Sequence, residues 1–395
     1  MAICDERVST GRSAWIIGIT CLLVCLLGPG VLLAADAGLP RVEPGIEYLH
    51  HRIGDGPWSI HVVKVDRLGG RFGLVSALAQ GHIYGLASVS EQVKSLGDAW
   101  GRPVAAVNGD FFLIRSDPYQ GDPTGLHIAQ GELVSAPAGT SFWVDEAGDP
   151  HIGKVTAKFR ATGPDGLDIP FSLNQARADD AAVLYTPAIG ASTRTGPGVE
   201  LVLEKSGEGD WLPLRPGGRY QARISAVNDQ GDVRLTPQIM VLSIGPKLAG
   251  GLRTPALGTV ISLHLKTSPD LTGVTTALGG GPVLLDAGER GDWQPPQPRH
   301  PRTALGWNDE HFVLAVVDGR QESLSVGMTY LEMASLMSGL GCTHAMNLDG
   351  GGSSTLWLDG RIMNSPSDGR ERRVANCLIV VSNEQDKNKT DPGHR

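Results

Sequence analysis

Apolar positions along this chain come in short runs broken by glycine and proline, the rhythm of strands and turns rather than of a helical bundle. Runs at 45–53, 58–65 and 72–78 predict strands, and Ser88 with Glu91 three residues on predicts a capped helix over 88–96. The run 104–107 predicts a short buried strand ending in Asn108-Gly109-Asp110-Phe111-Phe112. Hairpins are expected over 125–160. The stretch 150–275 reads as strand and turn throughout, with turn signals such as Arg215-Pro216-Gly217-Gly218 and Asn228-Asp229-Gln230-Gly231. The last third is the most legible. Strands are expected at 303–307 and 312–317, then a helix over 330–340 capped by Thr329 and Glu332 and closed by Gly341. Its apolar face is Tyr330, Met333, Ala334, Met337 and Leu340. A strand at 343–348 follows, then Asp349 and the run Gly350-Gly351-Gly352-Ser353-Ser354. Next come a strand at 355–358, an Asp359-Gly360 hairpin turn and a final strand at 374–382. Strand, helix and strand over 312–348 predict one parallel βαβ unit. The fold class expected is α+β: strand-rich mixed sheets with a few packed helices.

Composition supports this picture and narrows the setting. Glycine supplies 53 of 395 residues, about twice the usual share. The balance of 34 basic and 42 acidic side chains leaves a net charge of −8, which argues against a nucleic-acid scaffold. An apolar run at 14–27, a Gly28-Pro29-Gly30 break, a second run at 31–35 and the small-residue step Ala35-Asp36-Ala37 read as a signal peptide or N-terminal anchor over 1–35. The expected location is therefore extracytoplasmic: secreted, periplasmic or cell surface, with membrane contact only through that segment if it is uncleaved. Cys4, Cys21 and Cys25 lie in it, so Cys342 and Cys377 are the one pair left for a disulfide or for two buried thiols. The working domain spans 36–383 with room for a β-rich insertion at about 150–275. Residues 384–395 read as a polar tail carrying the sequon Asn388-Lys389-Thr390.

Three apolar strands end in polar clusters: 104–107 in Asn108 and Asp110, 312–317 in Asp318 and Arg320, and 345–348, which holds Asn347, in Asp349. Ligand sites gather at the carboxyl ends of strands. If these strands are neighbours, three carboxylates and two amides meet on one rim. That set suits glycosyl chemistry with paired carboxylates, and it equally suits oxygen ligation of a divalent cation. The glycines at 350–352 exceed what a turn needs. Their N–H groups, with the hydroxyls of Ser353 and Ser354, offer an anion nest. Arg302, ahead of a strand, is a candidate phosphate grip, whereas the arginines at 370, 372 and 373 read as a solvated loop. The histidines show no ligand spacing, and no G-x-S-x-G serine elbow is present.

The motifs VNGDFF at 107–112, ALGGGP at 277–282, PRTALGW at 301–307, VDGR at 317–320, NLDGGGSSTL at 347–356 and RRVANCLIV at 372–380 occur in this order. Together they resemble the phosphodiester glycosidase family. The resemblance implies hydrolysis of a sugar 1-phosphodiester, N-acetylglucosamine being the family's indicated sugar, with no required cofactor. On it, Asp349 and Asp110 act at the anomeric carbon, with Asp318 as a third candidate carboxylate. Arg302, Arg320 and the 350–354 backbone bind phosphate, and Asn108, Asn347 and Asn376 orient substrate. Two other readings of the same residues stand beside it. One is a phosphodiesterase with a divalent cation on Asp110 and Asp349, joined by Asp318. The other is a non-catalytic binder of anionic surface glycans such as exopolysaccharide.

Overall fold

The computed structural model describes residues 42–383, apart from 55, 116–117, 254 and 295–297. The expected leader, polar tail and sequon lie outside the described residues. Strand takes 43% of the described residues and helix 12%, so the α+β expectation resolves to a mostly β molecule with few helices.

Two sheets are laid face to face. The first has seven strands, in the order Ile46–Ile53, Trp58–Asp66, His311–Val317, Arg302–Trp307, His344–Asn347, Val283–Asp286 and Glu289–Arg290. The second has five: Arg361–Ile362, Leu356–Leu358, Arg102–Asn108, Asn376–Ser382 and Phe72–Leu78. Alternation along the strands decides which side chains meet. Leu305, Leu314, Val316 and Met346 from the first sheet share a core with Val107, Leu356, Leu378 and Val380 from the second. The outward residues of the first sheet, among them Ala304, Ala315 and Ala345, pack under Met333, Ala334 and Met337 of the helix Tyr330–Gly339. Those of the second, including Ala106 and Ile379, pack under Val89 and Val93 of the helix Val89–Ser95. The result is four layers, helix on sheet on sheet on helix.

Both helices begin with the capping boxes expected of them, Ser88 with Glu91 and Thr329 with Glu332. Thr329→Ala leaves an N-terminal amide of the second helix without its acceptor. It should cost about 1 kcal/mol, read as a lowered denaturation midpoint with unchanged m.

The βαβ expectation needs correction. His311–Val317 and His344–Asn347 each pair antiparallel with Arg302–Trp307, so they run parallel to each other but are not neighbours. Arg302–Trp307 occupies the place between them. The three-residue turn 308–310, pinned by Asn308 Oδ1 accepting from the N–H groups of Glu310 and His311 (3.0 and 2.8 Å), closes that hairpin locally. The returning strand takes the free edge, and the helix crosses over one strand.

Residues 127–154 and 276–280 form a five-stranded sheet, and residues 156–268 form an eight-stranded sheet of their own. The latter's inward residues, such as Phe159, Leu203 and Leu263, share a core with Leu126 and Ile128 of the former. Cys342 and Cys377 are unpaired and buried in different cores, on opposite sides of the double sheet.

Candidate active site

The two central sheets end together at one rim, tied by backbone hydrogen bonds within each sheet and, at Asp349, across the layers. Asp349 N–H donates to Gly109 O (3.0 Å), Leu348 N–H to Thr303 O (2.8 Å) and Gly109 N–H to Asn376 O (3.0 Å). Asn108, fully buried, donates from Nδ2 to Asp349 O (2.7 Å). Its Oδ1 accepts from Thr303 Oγ1 (2.8 Å) and Thr355 N–H (3.1 Å). Asn347 donates to Gly281 O (2.9 Å) and Leu348 O (2.6 Å), fixing the glycine turn after the strand Thr276–Gly280. Asn376 Oδ1 accepts from Asp110 N–H (2.8 Å), and its Nδ2 meets His127 Nδ1 at 3.2 Å. The three asparagines expected to orient substrate are thus engaged in holding the backbone on which Asp110 and Asp349 ride.

Asp110 is 3% exposed. Its carboxyl accepts from Phe111 N–H and Gly125 N–H, both at 2.7 Å. It lies in a slot where a Cβ on Gly279 would stand 2.3 Å from Oδ2, and one on Gly125 would stand 2.9 Å away. Burial pushes its pKa up to about 7, against the two backbone donors, with the charge of Asp349 adding a smaller upward push. Asp349 is more open. Burial raises its pKa as well, opposed by the nearby Ser353 hydroxyl, by Gly350 N–H (2.8 Å to Oδ1) and by the guanidinium groups of Arg372 and Arg320. The two carboxyls therefore sense each other, and the cations act on Asp349.

The glycine run is shaped by these cations. Gly351 has φ +62°, and a Cβ there would lie 3.0 Å from Arg320 Nη2. A Cβ on Gly352 would lie 2.1 Å from Arg372 Nη2, whose guanidinium is held by Asp368 at 2.8 Å. Arg320 itself adopts φ +60°, uncommon for a side-chain-bearing residue. The expected anion nest is largely occupied. Of the five amides at 350–354, four already donate: Gly350 to Asp349 Oδ1, Gly351 to Pro301 O, Ser353 to Gly350 O and Ser354 to Gly351 O. The hydroxyls of Ser354 and Thr355 are buried without a hydrogen-bond partner.

Two expected site residues sit elsewhere. Arg302 turns onto the helix side of its sheet, where it stacks 4.1 Å from the Tyr330 ring and donates to Met328 O and Pro298 O, each at 2.9 Å. Strand parity explains this, since Arg302 shares the face of Ala304. Arg302→Ala should lower thermal stability and depress turnover of charged and neutral substrates in parallel. Arg320→Ala should act selectively on phosphodiesters, as measured by kcat/KM on both substrate types. Asp318, 1% exposed, does not join the carboxyl pair. Its Oδ2 accepts from His61 Nε2 (3.1 Å), and its Oδ1 accepts from Ser365 N–H (2.8 Å) and Asn364 Nδ2 (3.2 Å). Asn364 in turn donates to Ser354 O and accepts from Leu356 N–H. Asp318 thus braces the serine segment from behind. Among the described residues no group of three or more His, Cys, Asp or Glu side chains is placed to hold a metal ion, so the three-aspartate cation set is not assembled.

Sequence reasoning missed Arg372, Gly125, His127 and Asn364. For Arg372 the available signal was Asp368 four residues earlier. His127, wholly buried, has its pKa lowered to about 3 by that burial and stays neutral, and no local pattern marked it.

Residues 247–381 match the sequence model of the phosphodiester glycosidase family. An uncharacterized SPbeta prophage-derived protein, YomE, of Bacillus subtilis is 42% identical over 89 residues, 22% of this chain and 14% of that protein. The mouse N-acetylglucosamine-1-phosphodiester alpha-N-acetylglucosaminidase is 37% identical over 82 residues, 20% of this chain and 16% of the enzyme. The matched stretch is thus a small fraction of either relative's length. In fold, the chain is similar to a hypothetical protein from Synechocystis (TM-score 0.68, 20% identity, 86% of this chain and 62% of that one). It is also similar to a "Putative exported protein" of Burkholderia pseudomallei K96243 (TM-score 0.64, 23% identity, 82% and 74%). Asp349, Arg320, Arg372 and Asn376 fall inside the matched segment, and Asp110 is brought to them by the fold from outside it. Through residues 247–381, this chain is similar to the phosphodiester glycosidase family.

Proposed function

We propose that the protein hydrolyses a sugar 1-phosphodiester at the anomeric carbon. The C1–O bond to phosphate breaks, water supplies the new hydroxyl on C1, and the products are free sugar and a phosphomonoester. The observation that carries this is the pair Asp110 and Asp349, each with a pKa raised by burial, with the guanidiniums of Arg320 and Arg372 acting on Asp349. Carboxyl pairs serve an oxocarbenium-like centre, and arginines match phosphate oxygens. Asp349, nearer the cations, ionises first and acts on C1 as nucleophile or as base toward water. Asp110 retains its proton near neutral pH and passes it to the departing phosphate oxygen, water restoring it. The buried, unpartnered hydroxyls of Ser354 and Thr355 are candidate partners for substrate oxygens. Similarity to the mouse enzyme suggests N-acetylglucosamine as the sugar. The apolar leader in the sequence suggests work outside the cytoplasm, and no helix among the described residues is long and apolar enough to cross a membrane.

The test is product analysis with purified protein and N-acetylglucosamine 1-phosphodiesters, with and without chelator. Free N-acetylglucosamine with a phosphomonoester, unaffected by chelator, supports the reading. Release of sugar 1-phosphate, abolished by chelator, would move the cut to the P–O bond and favour a metal phosphodiesterase. Binding of phosphodiester glycans with no product would favour a binding module.

A further inference from the structure

A cleft of about 600 Å³ opens along the loop that follows Asp110 and is not needed for any step described above. One wall is the loop that follows Asp110, through Leu113 and Asp122–Thr124. The floor is the segment 135–139. The facing wall is Lys154–Ala157, where the chain passes from the five-stranded into the eight-stranded sheet, with Phe171 and Gln175 beside it. The cleft comes within one residue of a backbone donor to Asp110. Thr124 lines it, and the next residue, Gly125, gives its N–H to Asp110 Oδ2. A Cβ on Gly125 would stand 3.3 Å from the carbonyl of Ala138 on the cleft floor.

Asp122 makes this more than a gap between loops. It is 7% exposed, and its Oδ1 is buried with no hydrogen-bond partner. Its backbone is tied on both sides: N–H to Tyr119 O (3.2 Å), and O accepting from Leu113 N–H (3.0 Å). A buried carboxyl oxygen left without a donor is costly and calls for a partner. Burial raises its pKa to about 7, so at neutral pH it can both give and take a hydrogen bond. A carboxyl wall disfavours a second phosphate. The cleft's mixture of Phe171, prolines and alanines with Thr124, Gln175 and Lys154 matches a ring with apolar C–H faces and a hydroxyl rim.

We propose that this cleft is a subsite for an uncharged sugar ring of the glycan attached through the phosphate, with Asp122 as its buried hydrogen-bonding anchor and Gln175 on the opposite wall. The position of that ring relative to the scissile bond rests on the glycosidase reading; its binding does not. The wall that includes Gln175 lies outside the segment matched by the family model. Choice of glycan would therefore be set by a part of this chain outside the matched segment.

The experiment uses the full chain carrying Asp349→Asn, applied to an array of phosphodiester-linked and neutral oligosaccharides. The double variants Asp349→Asn/Asp122→Asn and Asp349→Asn/Gln175→Ala are run beside it, and melting curves verify folding. Retention of a set of glycans by the single variant, weakened at least tenfold by either second change, is the expected result. Gln175 is exposed, so its variant carries the test if Asp122→Asn fails to fold. Retention of no glycan, or equal retention by all three proteins, overturns the proposal. Hydrolysis of UDP-N-acetylglucosamine by the wild type separates the two ideas. Turnover with glycan binding indifferent to Asp122 and Gln175 sinks the subsite alone. Absence of turnover on every phosphodiester, with Asp122-dependent binding, sinks the glycosidase reading and leaves the subsite standing.

Discussion

Asp349→Asn should lower kcat on a sugar 1-phosphodiester by about a thousandfold or more while the protein remains folded. The amide keeps the size of the carboxyl and an oxygen to accept from Gly350 N–H, now at 2.8 Å, so the turn 350–354 has no reason to rearrange. What is lost is the negative charge on which the Arg320 and Arg372 guanidiniums act, and with it the lone pair that the proposed reaction needs. Stability should move the other way. Burial raises the Asp349 pKa above its unfolded value, so the native state holds the proton more tightly than the unfolded chain does. Stability is then lost as pH rises from the unfolded pKa through the folded one. The variant has no such proton to lose, and its melting temperature should gain on the wild type as pH is raised through that window. Near-wild-type turnover by a folded Asp349→Asn protein would remove this residue from the chemistry. A large loss of stability at all pH values would mean that the carboxylate is a structural brace.

What could be read from the chain, and what could not, divides along the range of the interactions. Capping boxes at Ser88 and Thr329 and the Asp359-Gly360 turn, with φ of +44° and +84°, are settled within four residues, and they appear where the pattern puts them. The strand ends bearing Asp110 and Asp349 were equally legible, because an apolar run stopping at a polar residue before glycine has few other meanings. Side-chain direction was not. Arg302 and Arg320 look alike as arginines near strand ends. Strand parity sends the first under the helix Tyr330–Gly339, and a left-handed backbone at the second brings it over Gly351. Arg372 lay in a run of arginines read as solvent-facing. Its role depends on Gly352, which is distant in sequence and lacks the Cβ that would exclude the guanidinium. Asp318 failed for a related reason: His61 and Asn364, which claim its two oxygens, are far from it in the chain.

The pH profile should identify which carboxyl carries the proton. Asp110 and Asp349 influence each other, so the measured values belong to the pair, but their surroundings push them in different degrees. Asp110 is deeper, its pKa raised to about 7, and its one charged neighbour of note is another carboxyl. Asp349 has two guanidiniums opposing its rise. Loss of the first proton is therefore assigned to Asp349 and retention of the second to Asp110. With Asp349 acting ionised and Asp110 as the donor, kcat/KM should rise at acidic pH as Asp349 ionises and fall above about pH 7 as Asp110 loses its proton. Asp110→Asn should flatten the alkaline limb and cost roughly a hundredfold or more in rate for a poor leaving group. It should cost less for a phosphodiester whose leaving oxygen needs no proton. A rate that instead rises through pH 7 and holds would reverse the roles, making Asp110 the base and its burial the means of raising its basicity. Either limb can be followed by the release of reducing sugar across pH. The contrast between good and poor leaving groups tells proton donation from a mere change in protein stability, because an unfolding transition would depress both substrates alike.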